Sequence, residues 1–318
     1  MSDRRISLAI PIYNEVKVLP ELLRRVRATL DGIPGGPHEA ILVDDGSADG
    51  SAEVMDREAA SDPRIVAVHL SRNFGHQAAL SAALDHVTGD AVVLMDGDLQ
   101  DPPEEVPRFL EKHDEGYDVV YAVRRDRKES WILRACYFVF YRIIALLSDT
   151  RLPLDSGDFA LLSRRVVDQL RNAPEHNRYL RGLRAWVGFR QVGIPVERSE
   201  RFAGSTKYST WRLVKLALDG IFAFSVVPLR LAALLGVAGM GGALCYALYA
   251  LYARLVLDES PQGFTALIIM VVFLSSVQLL FLGVVGEYLG RVYEEVKRRP
   301  HYVVGEVVRS GIADPSDD

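Results

Sequence analysis

Cysteine is almost absent, with only Cys136 and Cys245 in 318 residues. That excludes a disulfide-stapled domain and a cysteine-built metal centre. Both lie in apolar stretches and read as small buried hydrophobes. A basic excess is also missing: 37 Lys and Arg stand against 42 Asp and Glu, a net charge of −5, which argues against a general nucleic-acid binder. Neither GxGxxG nor GxxxxGK[ST] occurs, so a dinucleotide fingerprint and a P-loop are both excluded. Met1 to Ser7 is too polar and short to read as a signal peptide. With 49% hydrophobic and 25% charged residues the chain is neither disordered nor fibrous, and its length suits one large or two modest domains.

What is present is unevenly spread. Residues 1–120 hold 11 basic and 23 acidic residues, whereas 121–318 hold 26 and 19. The acidic part suits a metal-bound ligand and the basic part a phosphate-rich membrane surface. The mean hydropathy of +0.09 owes its height to two runs, Leu231–Leu257 and the uncharged Gly263–Val285. Each exceeds the roughly 20 residues needed to cross a bilayer, so two transmembrane helices joined as a hairpin are expected. Gly236, Gly239, Gly241 and Gly242 give the first a small-residue face. Arg291, Lys297, Arg298 and Arg299 follow the second run, while the short connection carries Asp258 and Glu259. The positive-inside rule then places both the N-terminal region and the C-terminal tail in the cytoplasm. Two further segments, 131–147 and 211–224, mix Trp and Arg with apolar residues and read as interfacial amphipathic helices.

Residues 5–122 alternate strand and helix patterns. Strands are expected at Ile6–Ile12, Ala40–Val43, Ile65–Leu70, Ala91–Met95 and Val119–Val123, with helices at Val18–Leu30, Ser51–Ser61 and Gln77–His86 and another opening at Pro103. Such alternation means a largely parallel sheet with right-handed crossovers. Ligands of these sheets bind beyond the carboxyl ends of the strands. The polar clusters Tyr13-Asn14-Glu15, Asp44-Asp45, Arg72–His76 and Asp96-Gly97-Asp98 all fall there. The last is the sharpest chemical signal. Two carboxylates one residue apart can reach one hard cation, with Gly97 allowing close approach, and Mg²⁺ or Mn²⁺ sites of this kind are completed by phosphate oxygens.

The segments Ala9–Glu15, Val43–Ser47 and Met95–Gln100 resemble the GT-A fold of inverting nucleotide-sugar glycosyltransferases. Ser71–Gln77, Asp98–Pro103, Ser156-Gly157-Asp158-Phe159 and the apolar hairpin narrow the resemblance to polyprenyl-phosphate glycosyltransferases, the group of bactoprenol glucosyltransferases and dolichyl-phosphate mannose synthases. The resemblance implies an α/β GT-A (Rossmann-like) domain over 1–210, a juxtamembrane helix over 211–228, the two spans within 229–287 and a cytoplasmic tail over 288–318. Residues 303–318 read as a polar tail of no further meaning.

Site roles follow from the same resemblance. Pro11, Tyr13, Glu15 and Asp44 would cradle the base and ribose, with Asp45 either beside them or capping the next turn. Gly75 and Gln77 would approach the nucleotide, and Asn73 and His76 read equally as loop structure. Asp96, Asp98 and Gln100 map onto the metal and diphosphate site, with Asp98 the foremost ligand and Asp96 alternatively on a sugar hydroxyl or a metal-bound water. Asp158 occupies the acceptor-side acid position, as a base or as a residue that orients phosphate, arginine or sugar. Arg124, Arg201, Ser205 and Lys207 would bind the acceptor phosphate, Thr206 standing where the family commonly has Ser. The implied reaction moves one sugar from a nucleotide donor, UDP-glucose first, to undecaprenyl phosphate with inversion, using Mg²⁺ or Mn²⁺, in a homo-oligomer (a tetramer favoured) of the inner membrane. GDP-mannose with a dolichyl-type acceptor is the alternative donor pair. A non-catalytic membrane scaffold or lipid-sugar transporter is the alternative from another class, and a processive synthase lacks its QxxRW motif here.

Overall fold

The computed structural model describes residues 4–124, 156–175, 178–197, 227–256 and 263–310. The expected interfacial segments 131–147 and 211–224, Cys136, and Arg201, Ser205 and Lys207 lie outside them. The chain divides into two compact units. The first comprises residues 1–136, 150–207 and 299–318, and the second 137–149 and 208–298.

The first unit is built on an eight-stranded sheet. Its strands are β1 (Ile6–Ile12), β2 (Glu39–Asp44), β3 (Ile65–Leu70), β4 (Ala91–Leu94), β5 (Val119–Arg124), β6 (Ser156–Ser163), β7 (Gln191–Val196) and β8 (Val304–Arg309), in the order β7-β5-β6-β4-β1-β2-β3-β8. Between them run α1 (Leu19–Gly32), α2 (Ser51–Ser61), α3 (His76–His86), α4 (Val106–Asp114), α5 (Arg164–Asn172) and α6 (Leu180–Trp186). The expected elements up to Val123 are all present to within two residues, except that the helix opening at Pro103 begins as a single 3₁₀ turn, Pro103–Glu105.

The reason is legible in β1, whose seven residues are all buried. Successive side chains point to opposite faces. Ile6, Leu8, Ile10 and Ile12 join the core under α1, α2 and α4, whereas Ala9 joins the core under α3, α5 and α6. A strand covered on both faces needs a continuous apolar run, which parallel strands characteristically show. Glu39, buried at the start of β2, is satisfied by Ser7 Oγ, Arg5 Nη2 and the Thr88 backbone and hydroxyl, as a buried carboxylate must be.

Two strands depart from the parallel pattern. β6 runs antiparallel between β4 and β5, and only Phe159–Leu162 within it is apolar, which hid it from periodicity. β8 corrects the expected polar tail: it pairs antiparallel with β3, Val68 opposite Val307 and His69 opposite Glu306. The tail reading failed because Val304, Val307 and Val308 are interspersed with charge, as suits an edge strand. Tyr302 fixes its start by donating to Asp85 Oδ2 at 2.5 Å.

The second unit contains α7 (Val227–Val256) and α8 (Phe264–Lys297). Both are long and apolar enough to cross a membrane, by length and composition. Cys245 is exposed on α7, not buried as expected, because α7 presents nearly its whole apolar surface outward. α8 extends past the expected end at Val285. Glu287–Arg291 and Glu294–Lys297 pairs at helical spacing support the added turns, and Arg298 ends the helix in the left-handed conformation at φ 48°.

β8 closes the edge of β3, so truncation after Arg299 lays bare that edge and its valine contacts. The expected result is a melting temperature about 5–10 °C lower than that of the full chain, read by calorimetry in detergent; equal melting temperatures would show that β8 contributes no stability.

Candidate active site

The strand register sets the site. Ile12 lies opposite Asp44, and Asp44 opposite His69. Leu94 lies opposite Ala160, so Asp96 and Asp158, two residues beyond on each antiparallel strand, fall at one level. The carboxyl ends of β1, β2, β3 and β4 thus share an edge with the start of β6, where such sheets bind ligands.

The turns above this edge are knit by side chains. Asn14, at φ 54°, accepts the Ala48 N–H and donates its own N–H to Ser47 Oγ. Asp49 accepts from Val16 N–H and from Ser51. Pro11 is buried beneath these turns, Glu15 is half-buried, and Tyr13 is exposed, leaving its ring face available for stacking. Asp44 is buried; its Oδ1 accepts Ser47 N–H at 3.0 Å and its Oδ2 lies 3.5 Å from His69 Nδ1. Burial opposes its charge, but His69 and Ser47 hold its carboxyl below the usual range.

Asp45 does not cap the turn that follows it. It reaches across to accept Phe74 N–H at 2.7 Å and Gly75 N–H at 2.9 Å, fixing the loop that opens α3. Burial outweighs these bonds and pushes its pKa up. The loop passes so close over the Asp45–Ser47 turn that a Cβ on Gly46, itself at φ 71°, would sit 2.7 Å from Asn73 N. Gln77, expected near the nucleotide, instead accepts Leu180 N–H at 3.0 Å, tying α3 to the start of α6. Gly75 supplies the φ of 98° that starts α3.

Asp96, Asp98 and Gln100 follow β4. A Cβ on Gly97 would meet Ile12 Cδ1 at 2.6 Å and Pro11 O at 2.9 Å, so glycine lets the turn lie against β1. Leu99 is buried at φ 60°, an uncommon conformation for a bulky residue and one that gathers at functional turns. Asp98 Oδ1 accepts Gln100 N–H at 3.1 Å. Among the described residues no three His, Cys, Asp or Glu side chains converge on a metal position. The donor set here is two carboxylates and an amide. That fits a hard cation which keeps several waters or phosphate oxygens, and it does not fit a closed zinc site.

Asp158 is held from two sides. Arg181 donates Nη2 at 2.9 Å and Nε at 3.2 Å, and His76 Nε2 stands 3.7 Å away. The same nitrogen lies 3.5 Å from Asp96 Oδ1, so one imidazole stands between the two acids. Burial disfavours charge on Asp158, yet His76 and Arg181 hold its pKa far below the carboxylate range. His76 itself is raised; burial opposes its charge, and Asp158 and Asp96 favour it. Arg184 is buried beside them, donates to Gly157 O at 3.4 Å, and is pushed down by burial to about 10. Arg124 ends β5.

Sequence reasoning brought Pro11, Tyr13, Glu15, Asp44, Asp96, Asp98 and Asp158 to this edge. It missed His69 and Arg181, and it gave His76 no role. His69 was recoverable as a polar residue near the carboxyl end of a parallel strand; Arg181 lies on a helix whose partner is 23 residues away.

Glycosyl transferase family 2 matches residues 7–171. The uncharacterized glycosyltransferase YkcC of Bacillus subtilis is 42% identical over 94% of this chain and 92% of its own. The prophage bactoprenol glucosyl transferase homolog of Escherichia coli is 36% identical over 95% of this chain and 99% of its own, and the bactoprenol glucosyl transferase of Shigella phage SfII 38% over 94% and 97%. Among solved structures, a mannosyltransferase from Pyrobaculum calidifontis, in complex with GDP-Man and Mn²⁺, shares the fold at a TM-score of 0.50 and 21% identity, covering 93% of this chain and 87% of that one. With the sheet order, the acidic turn after β4 and these relatives in agreement, the chain belongs to glycosyl transferase family 2 and is a glycosyltransferase of the GT-A type.

Proposed function

We propose that this protein transfers a single sugar, glucose from UDP-glucose in the first instance, to the phosphate of a membrane polyprenyl carrier, with inversion at the anomeric carbon. The observation that carries the reading is the placement of Asp96 and Asp158 at one level of the sheet edge, bridged by His76. The bactoprenol glucosyl transferases among the relatives support the acceptor, and two apolar helices support residence in a membrane.

In this reading Tyr13 stacks on the base, and Glu15 and Asp44 accept from base or ribose. Asp96, Asp98 and Gln100 hold Mg²⁺ or Mn²⁺, which supplies charge neutralisation for the departing diphosphate. An acceptor phosphate oxygen forms the new bond to the anomeric carbon, and the bond to the nucleoside diphosphate breaks with its electron pair leaving on the diphosphate. A phosphate monoester has a second pKa of about 6, so the nucleophile needs no base at neutral pH. That agrees with the state of Asp158, whose paired carboxylate is too weak a base to take a proton. Its part is to fix Arg181 and His76 beside the acceptor. Arg124, Arg201, Ser205 and Lys207 bind the acceptor phosphate, α7 and α8 cross the cytoplasmic membrane with the first unit on the cytoplasmic side, and the chain works as a homo-oligomer, with four copies favoured.

The test is transfer from a panel of labelled UDP- and GDP-sugars to undecaprenyl phosphate in detergent. One sugar added from UDP-glucose, abolished by EDTA and reduced at least about 100-fold by Asp98→Ala, is the expected result; activity unaffected by either would remove the metal from the reading. Arg181→Met tests the pairing. Because the folded pKa of Asp158 is depressed, its stabilisation is present above about pH 4 and lost as the pH falls through the folded value. The variant is expected to lose about 2 kcal/mol at pH 7, and its gap from wild type to narrow on acidification, in urea titrations at each pH.

A further inference from the structure

His69 stands behind the nucleotide side of the edge and touches none of the groups assigned above except Asp44. It lies near the end of β3 with 14% of its side chain exposed. Both ring nitrogens face acids: Nε2 is 2.7 Å from Asp56 Oδ1 on α2, and Nδ1 is 3.5 Å from Asp44 Oδ2 on β2. A third acid, Glu306, lies opposite on β8. A neutral imidazole carries one N–H, so one of the two carboxylates would then face a nitrogen lone pair. Only the imidazolium serves both.

The bond to Asp44 raises the His69 pKa, burial works against it, and Asp56 raises it further. The protonated ring has two effects on Asp44. It engages Oδ2 while Ser47 N–H engages Oδ1, which fixes the carboxylate plane. It also cancels one negative charge beneath the place where an anionic nucleotide must sit, close to Asp44 and Asp45. Neither effect requires His69 to touch the ligand.

We infer that His69 is a positioning residue for the nucleoside diphosphate: as an imidazolium held by Asp56, it orients Asp44 and lowers the charge repulsion at the base-and-ribose site. The inference rests on the role given to Asp44 above. It makes nucleotide affinity depend on pH through a side chain outside the binding contacts. The sign follows from the raised pKa: affinity is at its full value below about pH 6.5, the ordinary histidine value, and falls as the pH rises through the higher folded one.

The experiment is calorimetric titration of the full chain in detergent with UDP, and separately GDP, in the presence of Mn²⁺ from pH 5.5 to 8.5. It compares wild type, His69→Gln and Asp56→Asn, and NMR follows the His69 ring. Asp56 is 44% exposed on α2, so its variant tests the charge without disturbing the core. His76 titrates in all three proteins, and differences between them therefore report His69. Wild type should lose affinity above the raised value. Asp56→Asn should lose it at lower pH. His69→Gln should bind about tenfold more weakly at pH 6, the loss of one charge-assisted hydrogen bond, without that pH step and with the donor KM rather than kcat altered. Equal affinity and equal pH profiles in His69→Gln and wild type, or a ring titrating at or below the ordinary value, would overturn the role of His69 alone. No binding of either nucleotide by wild type at any pH would overturn the reading of Asp44, and this inference with it.

Discussion

Asp158 remains charged in a half-buried position because Arg181 and His76 stand against it, and much of the surrounding architecture serves that triad. β6 enters antiparallel between β4 and β5, which sets Asp158 level with Asp96. α3 begins with His76 and Gln77 side by side. The first reaches the two acids and the second takes the amide of Leu180, the residue before Arg181. One helix start therefore positions both cations of the cluster. Asp45 in turn holds the loop that opens this helix through the amides of Phe74 and Gly75. Asp45, expected beside the base and ribose or as a cap of the next turn, thus anchors the start of that helix.

The same edge separates two electrostatic tasks. Around Asp44 the partners are His69 and a serine turn; around Asp158 they are Arg181 and His76. In both cases a carboxylate is kept ionised against burial by donors from a different element. Asp96 and Asp98 stand between, in a turn with a left-handed leucine and a glycine laid against β1. Acids held charged on either side of a hard-oxygen pair suit the proposed binding of a cation together with a polyanion.

The central sheet was legible in the sequence because parallel strands need near-continuous apolar runs, and Ile6–Ile12 and Ile65–Leu70 are such runs but for Ser7 and His69. The strand-end acids were legible because such sheets concentrate polar residues at their carboxyl ends. β6 and β8 were not, since an antiparallel or edge strand tolerates Gly, Asp and Glu within it. Partners at long range left no local trace: nothing in the neighbourhood of Gln77 points to Leu180, and nothing in Asp45 points to Phe74 rather than to the following turn. Pattern located the charged groups, and pairing decided what each one does.

β8 gives the first unit a discontinuous origin. The strand that shields β3 is encoded after both apolar helices, so during synthesis the sheet stands with one edge open until α7 and α8 have left the ribosome. An open edge is a template for pairing with other chains, and domains form as their segments emerge. Completion of the sheet is thereby placed after the synthesis of both apolar helices. A chain interrupted before Val304 would keep both apolar helices yet leave the β3 edge unpaired and open to strands of other chains.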